Sequence, residues 1–230
     1  MKQFISHKKL QKPSLSTQAL TVANLLPLIG VVFLGWDAAA IVLLYWIENL
    51  IIGLFNVLRM ILVKVESPSK QFQKLFMIPF FCIHFGGFCA VHGFFLLTFF
   101  KMGSDWDAFT PGEPWTGPFI FLQLLYSVVR QLWQSRPPGL EWPVLGLAVS
   151  HGLSFVKNFL LGQEYLTLKV NEIMMRPYKR IVLMHVAIIA GGVFVMKLGS
   201  PLGLLCILIF LKIGMDIWLH AKSHRSASLE

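Results

Sequence analysis

Charge is what this sequence has least of. Asp, Glu, Lys and Arg make up 13% of its 230 residues, 56% are hydrophobic and the mean hydropathy is +0.67. That balance leaves far too little polar side chain to coat a water-soluble globule, so an ordinary soluble domain is excluded and an integral membrane protein expected. Cysteine is also scarce: Cys82, Cys89 and Cys206 all lie in apolar runs without CxxC spacing. This excludes a disulfide framework and a thiolate metal site and leaves the three as small packing residues. No linker rich in Pro, Gly and Ser and no internal repeat divides the chain. A single transmembrane domain is therefore expected over 18–220, between a basic segment at 1–17 and a tail at 221–230 whose last two residues, Leu229 and Glu230, resemble a cloning scar. No small-residue cleavage site follows the basic start, so the first span is expected to remain and to act as the targeting signal. The formal charge of +9 comes from Lys and Arg spread over short loops and helix ends, which membrane topology accounts for and nucleic-acid binding does not.

What the chain has in abundance is apolar runs. A hydrocarbon core needs about 20 mostly apolar residues per helix, and such runs occur at 18–36, 38–63, 75–100, 140–162, 180–197 and 200–219. The expected fold is an all-α, polytopic transmembrane helical bundle of six spans. The stretch "FIFLQLLYSVVRQLWQ" at 119–134 is broken by Gln123, Arg130, Gln131 and Gln134. It is expected to lie flat at the outer interface as an amphipathic helix, with seven spans as the alternative if it crosses. Lys2, Lys8, Lys9 and Lys12 precede the first span, and Lys64, Lys70 and Lys74 separate the second from the third. The loop at 101–117 instead sets Asp105, Asp107 and Glu113 against one lysine. The bias of basic residues puts the amino terminus in the cytoplasm. So small a bundle is expected to be a homo-oligomer among membrane lipids.

The charges that do occur inside apolar runs need a reason, because an ionisable group at the bilayer centre costs roughly 2.5–3.5 kcal/mol on insertion scales and usually marks function. "VLLYWIENLIIGLFNVLR" at 42–59 carries Glu48, Asn49, Asn56 and Arg59. At ~100° per residue, Glu48, Arg59, Asn56 and Asn49 fall at about 0°, 20°, 80° and 100°, a single polar face. His84 and His92 are ~12 Å apart along one helix and about 80° apart around it, so they cannot share an ion on a straight helix. His151, Ser154 and Asn158 form a narrow stripe at about 0°, 300° and 340°. Lys212 and Asp216, four residues apart, can satisfy each other. Counted along six spans, Glu48, His84 and His151 lie near the midplane. His185, Asn158 and Asp216 form a layer nearer the cytoplasm, and His92 lies nearer the exterior.

A carboxylate with imidazoles from different helices suits zinc or another divalent transition metal, with a position left for water. The expected ligands are Glu48, His84 and His151, with His185 as the fourth. Metal-bound water would make hydrolysis feasible within the membrane, with Glu48 as base and Asn49 and Asn158 as supporting or oxyanion donors. Asn56, Arg59, His92, Ser154 and Asp216 make up a secondary polar cluster. No HExxH pattern is present. Phe80 and His84 match the FxxxH element of glutamate-type intramembrane prenyl-protein proteases, but the paired glutamates of that family are missing, since Asn49 follows Glu48. Haem is not expected, because no matched His pair on two helices is visible. A proton or cation relay could use the same Glu and His, and a scaffold could use the amides as interhelical hydrogen-bond glue.

"YWIEN" with Asn56 and Arg59, "VHGFF", "SHGLSF" with Asn158, and "PYKR" followed by His185 resemble the motifs of an uncharacterised family of bacterial and archaeal multi-pass membrane proteins, a domain of unknown function. The likeness covers roughly residues 20–220. It implies a prokaryotic inner-membrane location and carries no activity to transfer.

Overall fold

A computed structural model describes residues 27–102 and 114–227, with the backbone alone for 198 and 215–227. Among the described residues every regular element is a helix: α1 (27–34), α2 (Ala38–Leu62), α3 (Pro68–Phe99), a 3-10 turn (Gly117–Phe119) leading into α4 (Ile120–Ser135), α5 (Glu141–Ser154) continuing as a π-helical stretch (Phe155–Leu161), α6 (Glu164–Thr167), α7 (Val170–Met175), α8 (Tyr178–Leu198) and α9 (Leu202–Ala227). The basic amino-terminal segment, the first half of the 18–36 run, and Asp105, Asp107 and Glu113 fall outside the described residues. The chain divides into two compact units, one from the described parts of Met1–Trp36 and Ile209–Glu230 and the other Asp37–Leu208. In the first unit α1 ends at Gly35, whose φ of +69° lets the chain turn so that the Trp36 N–H donates to the Gly30 carbonyl at 3.0 Å.

Capping chemistry rather than hydropathy sets where the helices of the second unit begin. Asp37 accepts from the Ala39 N–H at 2.8 Å and so starts α2. Ser67 accepts from the Lys70 N–H at 3.4 Å with Pro68 in the first turn, the preferred residues at those positions. α3 therefore begins seven residues before its expected apolar run. Four helical segments among the described residues are long and apolar enough to cross a membrane: Ala38–Leu62, Pro68–Phe99, Glu141–Leu161 and Val170–Lys197. They match four of the six expected runs. The run at 200–219 is helical, but its apolar part is the shorter Leu202–Gly214.

α3 is the hub, packed on α2, α4 and α8. The Trp46 indole N–H of α2 donates to the Cys89 carbonyl of α3 at 2.9 Å, while Gly53 faces Phe85, so these helices run antiparallel. A Cβ at Gly93 would stand 2.5 Å from both Trp46 of α2 and Val128 of α4; the missing side chain is what lets three helices meet there. Toward the Leu62 end of α2, Met60, Phe81, Phe85, Phe159 and Ile173 join α2, α3, the π-helical stretch and α7 in one apolar cluster. Large apolar side chains also face outward, Phe72 at 75% exposure and Met196 at 77% among them.

The structure sets 119–134 against α3. α4 does not lie across the end of α3 but runs alongside it in the same direction: Gly86 and Gly87 face Leu122 and Phe121, and Gly93 faces Val128. Its sixteen residues reach ~24 Å, and it is not among the segments long and apolar enough to cross a membrane. Of the four polar residues that made the segment look interfacial, Gln123 is buried, with Ser127, Val128 and Leu132, against the small residues of α3, while Arg130 and Gln134 stay exposed and Gln131 is half-buried.

Candidate functional site

The polar face of α2 becomes a three-helix junction. α5 runs in the direction of α2, with Phe155 beside Phe55 at 5.6 Å between ring centroids, and this register sets His151 opposite Glu48. His151 Nε2 lies 3.3 Å from Glu48 Oε1. From α8 the Arg180 guanidinium donates through NH2 to Glu48 Oε2 in a short ion pair. Arg180 Nε also donates to Asn49 Oδ1 at 3.4 Å, and Asn49 Nδ2 donates to the Tyr45 carbonyl at 3.0 Å. The Glu48 side chain is 15% exposed, against 29% for His151 and 30% for Arg180. An ionised carboxylate can only accept, so neutral His151 must donate from Nε2, leaving Nδ1 as its acceptor.

A second set of contacts ties α3 to α8, which run in the same direction. His84 Nδ1 is 2.9 Å from the Tyr178 hydroxyl, and His92 Nε2 is 2.9 Å from His185 Nδ1. His84 stacks on Phe80 with centroids 5.1 Å apart and meets Phe88 edge-on. His92 is buried, and its Nδ1 has no partner among the described residues. Beside this ladder lies a partly open cavity of about 600 Å³ between α3, the start of α4 and His185.

The four expected metal ligands are thus not brought together. Glu48 and His151 meet, but His84 pairs with Tyr178 and His185 with His92, and no group of three or more His, Cys, Asp or Glu side chains suited to one ion occurs among the described residues. The reason is azimuth: α3 turns its histidines toward α8, and Glu48 faces α5. His92, expected apart from the others, is in fact one half of the imidazole pair.

The stripe expected from His151, Ser154 and Asn158 also divides, although His151 and Ser154 share the α-helical part of the segment, which turns to π geometry only at Phe155. His151 turns to Glu48 while Asn158 Nδ2 donates to Ser154 Oγ at 3.1 Å on the outer surface. Asn56 is buried but bonds within its own helix, to Met60 Sδ at 3.9 Å, and so does not glue helices together. Arg59 sits over the Phe155 ring at 5.6 Å with its Nε unpartnered among the described residues. The Asp216 side chain falls outside the described residues.

Arg180 and Tyr178 were missed as site residues. "PYKR" reads as a basic loop that fixes topology, and no local pattern distinguishes an arginine that points inward along its helix. The one available signal was the charge of Glu48, which needed a cation from some other helix.

No curated protein and no solved structure matches this chain. The model of one family does match, over residues 6–230, nearly the whole sequence. The chain therefore belongs to DUF6498, a family of unknown function.

Proposed function

We propose that the protein is a multi-pass protein of a prokaryotic cytoplasmic membrane, with its amino terminus in the cytoplasm, and that Glu48, His151 and Arg180 form a membrane-embedded acid–base site of hydrolase type. The observation that carries this reading is a carboxylate shared between an imidazole and a guanidinium from three different helices. In the proposed mechanism His151 takes the proton of a water or substrate hydroxyl on Nδ1. Glu48 orients the ring and stabilises its protonated form, the role a carboxylate plays behind a catalytic histidine. Arg180 and Asn49 hold Glu48 in position, and Arg180 supplies the counter-charge that a carboxylate needs away from water. Charge neutrality within the group favours a fixed catalytic site over an ion path. A divalent metal, the other hydrolytic option, would have to displace the guanidinium from Glu48 Oε2.

The test is hydrolysis of a panel of ester-, amide- and phosphoester-bearing lipids by the protein in lipid nanodiscs. His151→Gln is expected to slow any turnover about 100-fold or more, the usual worth of a general base, without lowering the melting temperature by a comparable measure. Turnover unaffected by His151→Gln would overturn the assignment. Stoichiometric zinc in the purified protein, lost from Glu48→Ala, would replace it with the metal-dependent reading.

A further inference from the structure

The cavity beside the imidazole ladder takes no part in the acid–base site, and its walls specify a ligand. Its volume of about 600 Å³ is that of a small-molecule site, where apolar walls and a few fixed polar groups are the usual composition. Phe80, Phe88 and Phe121 supply aromatic surface, and the polar side chains on its wall are His84 and His185. Among the described residues no Lys, Arg, Asp or Glu lines it, so an ionised head such as a carboxylate or phosphate would enter without a counter-charge, which is costly. The head that fits is uncharged. Phe80 and the His84 ring lie nearly parallel, with 15° between their planes, and such flat faces suit a planar ring better than a bulky one.

The two imidazoles are fixed in the same way. His84 spends Nδ1 on the Tyr178 hydroxyl and His185 spends Nδ1 on His92, so in each ring Nε2 is the nitrogen without a protein partner among the described residues. When Tyr178 donates to His84 Nδ1, Nε2 carries the hydrogen and can donate to a carbonyl. When the tautomer reverses, Nε2 accepts from a hydroxyl. One site can thus hold a ring carbonyl or the hydroxyl of its reduced form. Phe76, Phe80 and Phe121 are on the wall and yet 65%, 42% and 43% exposed, which makes the mouth apolar and suited to a hydrocarbon tail.

We propose that this cavity binds a lipid-soluble molecule with an uncharged, flat, carbonyl-bearing head and an apolar tail, of the quinone type, held by His84 and His185 at Nε2 among the phenylalanines.

The test is calorimetric titration of the full-length protein, in nanodiscs made without quinone, using a benzoquinone with a decyl tail and, in parallel, palmitate. Saturable binding of the benzoquinone is expected. It should weaken about tenfold in His84→Phe/His185→Phe, as two lost hydrogen bonds imply, and disappear in Val91→Trp, which fills the cavity. Ile83→Trp serves the same purpose if Val91→Trp does not give a monodisperse protein. Uptake that does not saturate, an equal signal from Val91→Trp and wild type, or palmitate binding as tightly as the benzoquinone would each overturn the proposal. His151→Gln should bind the benzoquinone as wild type does, so failure of the acid–base reading and failure of this one are separable.

Discussion

Glu48→Gln keeps the length of the side chain and an oxygen that can accept, but it removes the charge facing Arg180. The guanidinium has two protein partners, Glu48 and Asn49, and only Glu48 carries charge. Breaking a buried ion pair from one side costs about 3–5 kcal/mol because the remaining ion is uncompensated. At 15% and 30% exposure this pair is not fully enclosed, and the lower end of that range, about 3 kcal/mol, is expected for Glu48→Gln. Arg180→Gln should cost a similar amount by stranding the carboxylate. If the pairing is the cause, the double variant Glu48→Gln/Arg180→Gln buries no charge and loses at most about 3 kcal/mol rather than the ~6 of an additive pair, a coupling at or above the upper end of what contacting residues show. Reversible unfolding in mixed micelles of increasing denaturing detergent gives the three values. Additivity within about 0.5 kcal/mol would mean that Glu48 and Arg180 do not interact and would refute the three-helix junction as described.

Other expectations concern α3 and its neighbours. Gly93→Ala should destabilise by about 1–3 kcal/mol through overpacking against Trp46 and Val128, whereas Gly146→Ala, with open space around it, should be neutral or stabilising by up to ~1 kcal/mol; thermal melts that rank the two in reverse would contradict the packing. Trp46→Phe should cost about 0.5–1.5 kcal/mol for the lost hydrogen bond to Cys89, measured in the same unfolding assay. Ser127 Oγ is buried without a partner among the described residues, so Ser127→Ala should leave stability unchanged or raise it. In a background with Cys82, Cys89 and Cys206 replaced, Ser127→Cys should resist a membrane-impermeant maleimide from both sides, and rapid labelling would return α4 to the membrane surface.

How much was legible beforehand follows from the range of each interaction. Hydropathy is a local property, and the runs at 38–63, 75–100, 140–162 and 180–197 match the four span-length segments. The start of α3 lies ahead of the run at 75–100 because Ser67 and Pro68 cap the helix before any apolar signal. What α4 packs on was not legible, because its polar residues draw the eye while the contacts that hold it run through Phe121, Leu122 and Val128 to the glycines of α3. Helical spacing set His84 and His92 apart on α3, and they meet different residues of α8. It said nothing of which neighbour each would meet.

By itself, then, the sequence determined that the chain is helical, that several of its helices are long and apolar enough to cross a membrane, and that Glu48 and the histidines are the side chains needing partners, since all three depend only on composition and residue spacing. The tertiary structure decided the partners. Glu48 meets His151 and Arg180, while His84 and His92 meet Tyr178 and His185. Those pairings depend on how one helix is rotated against another, and that rotation is set by close contacts such as Gly93 against Trp46 and Val128, between residues far apart in the chain.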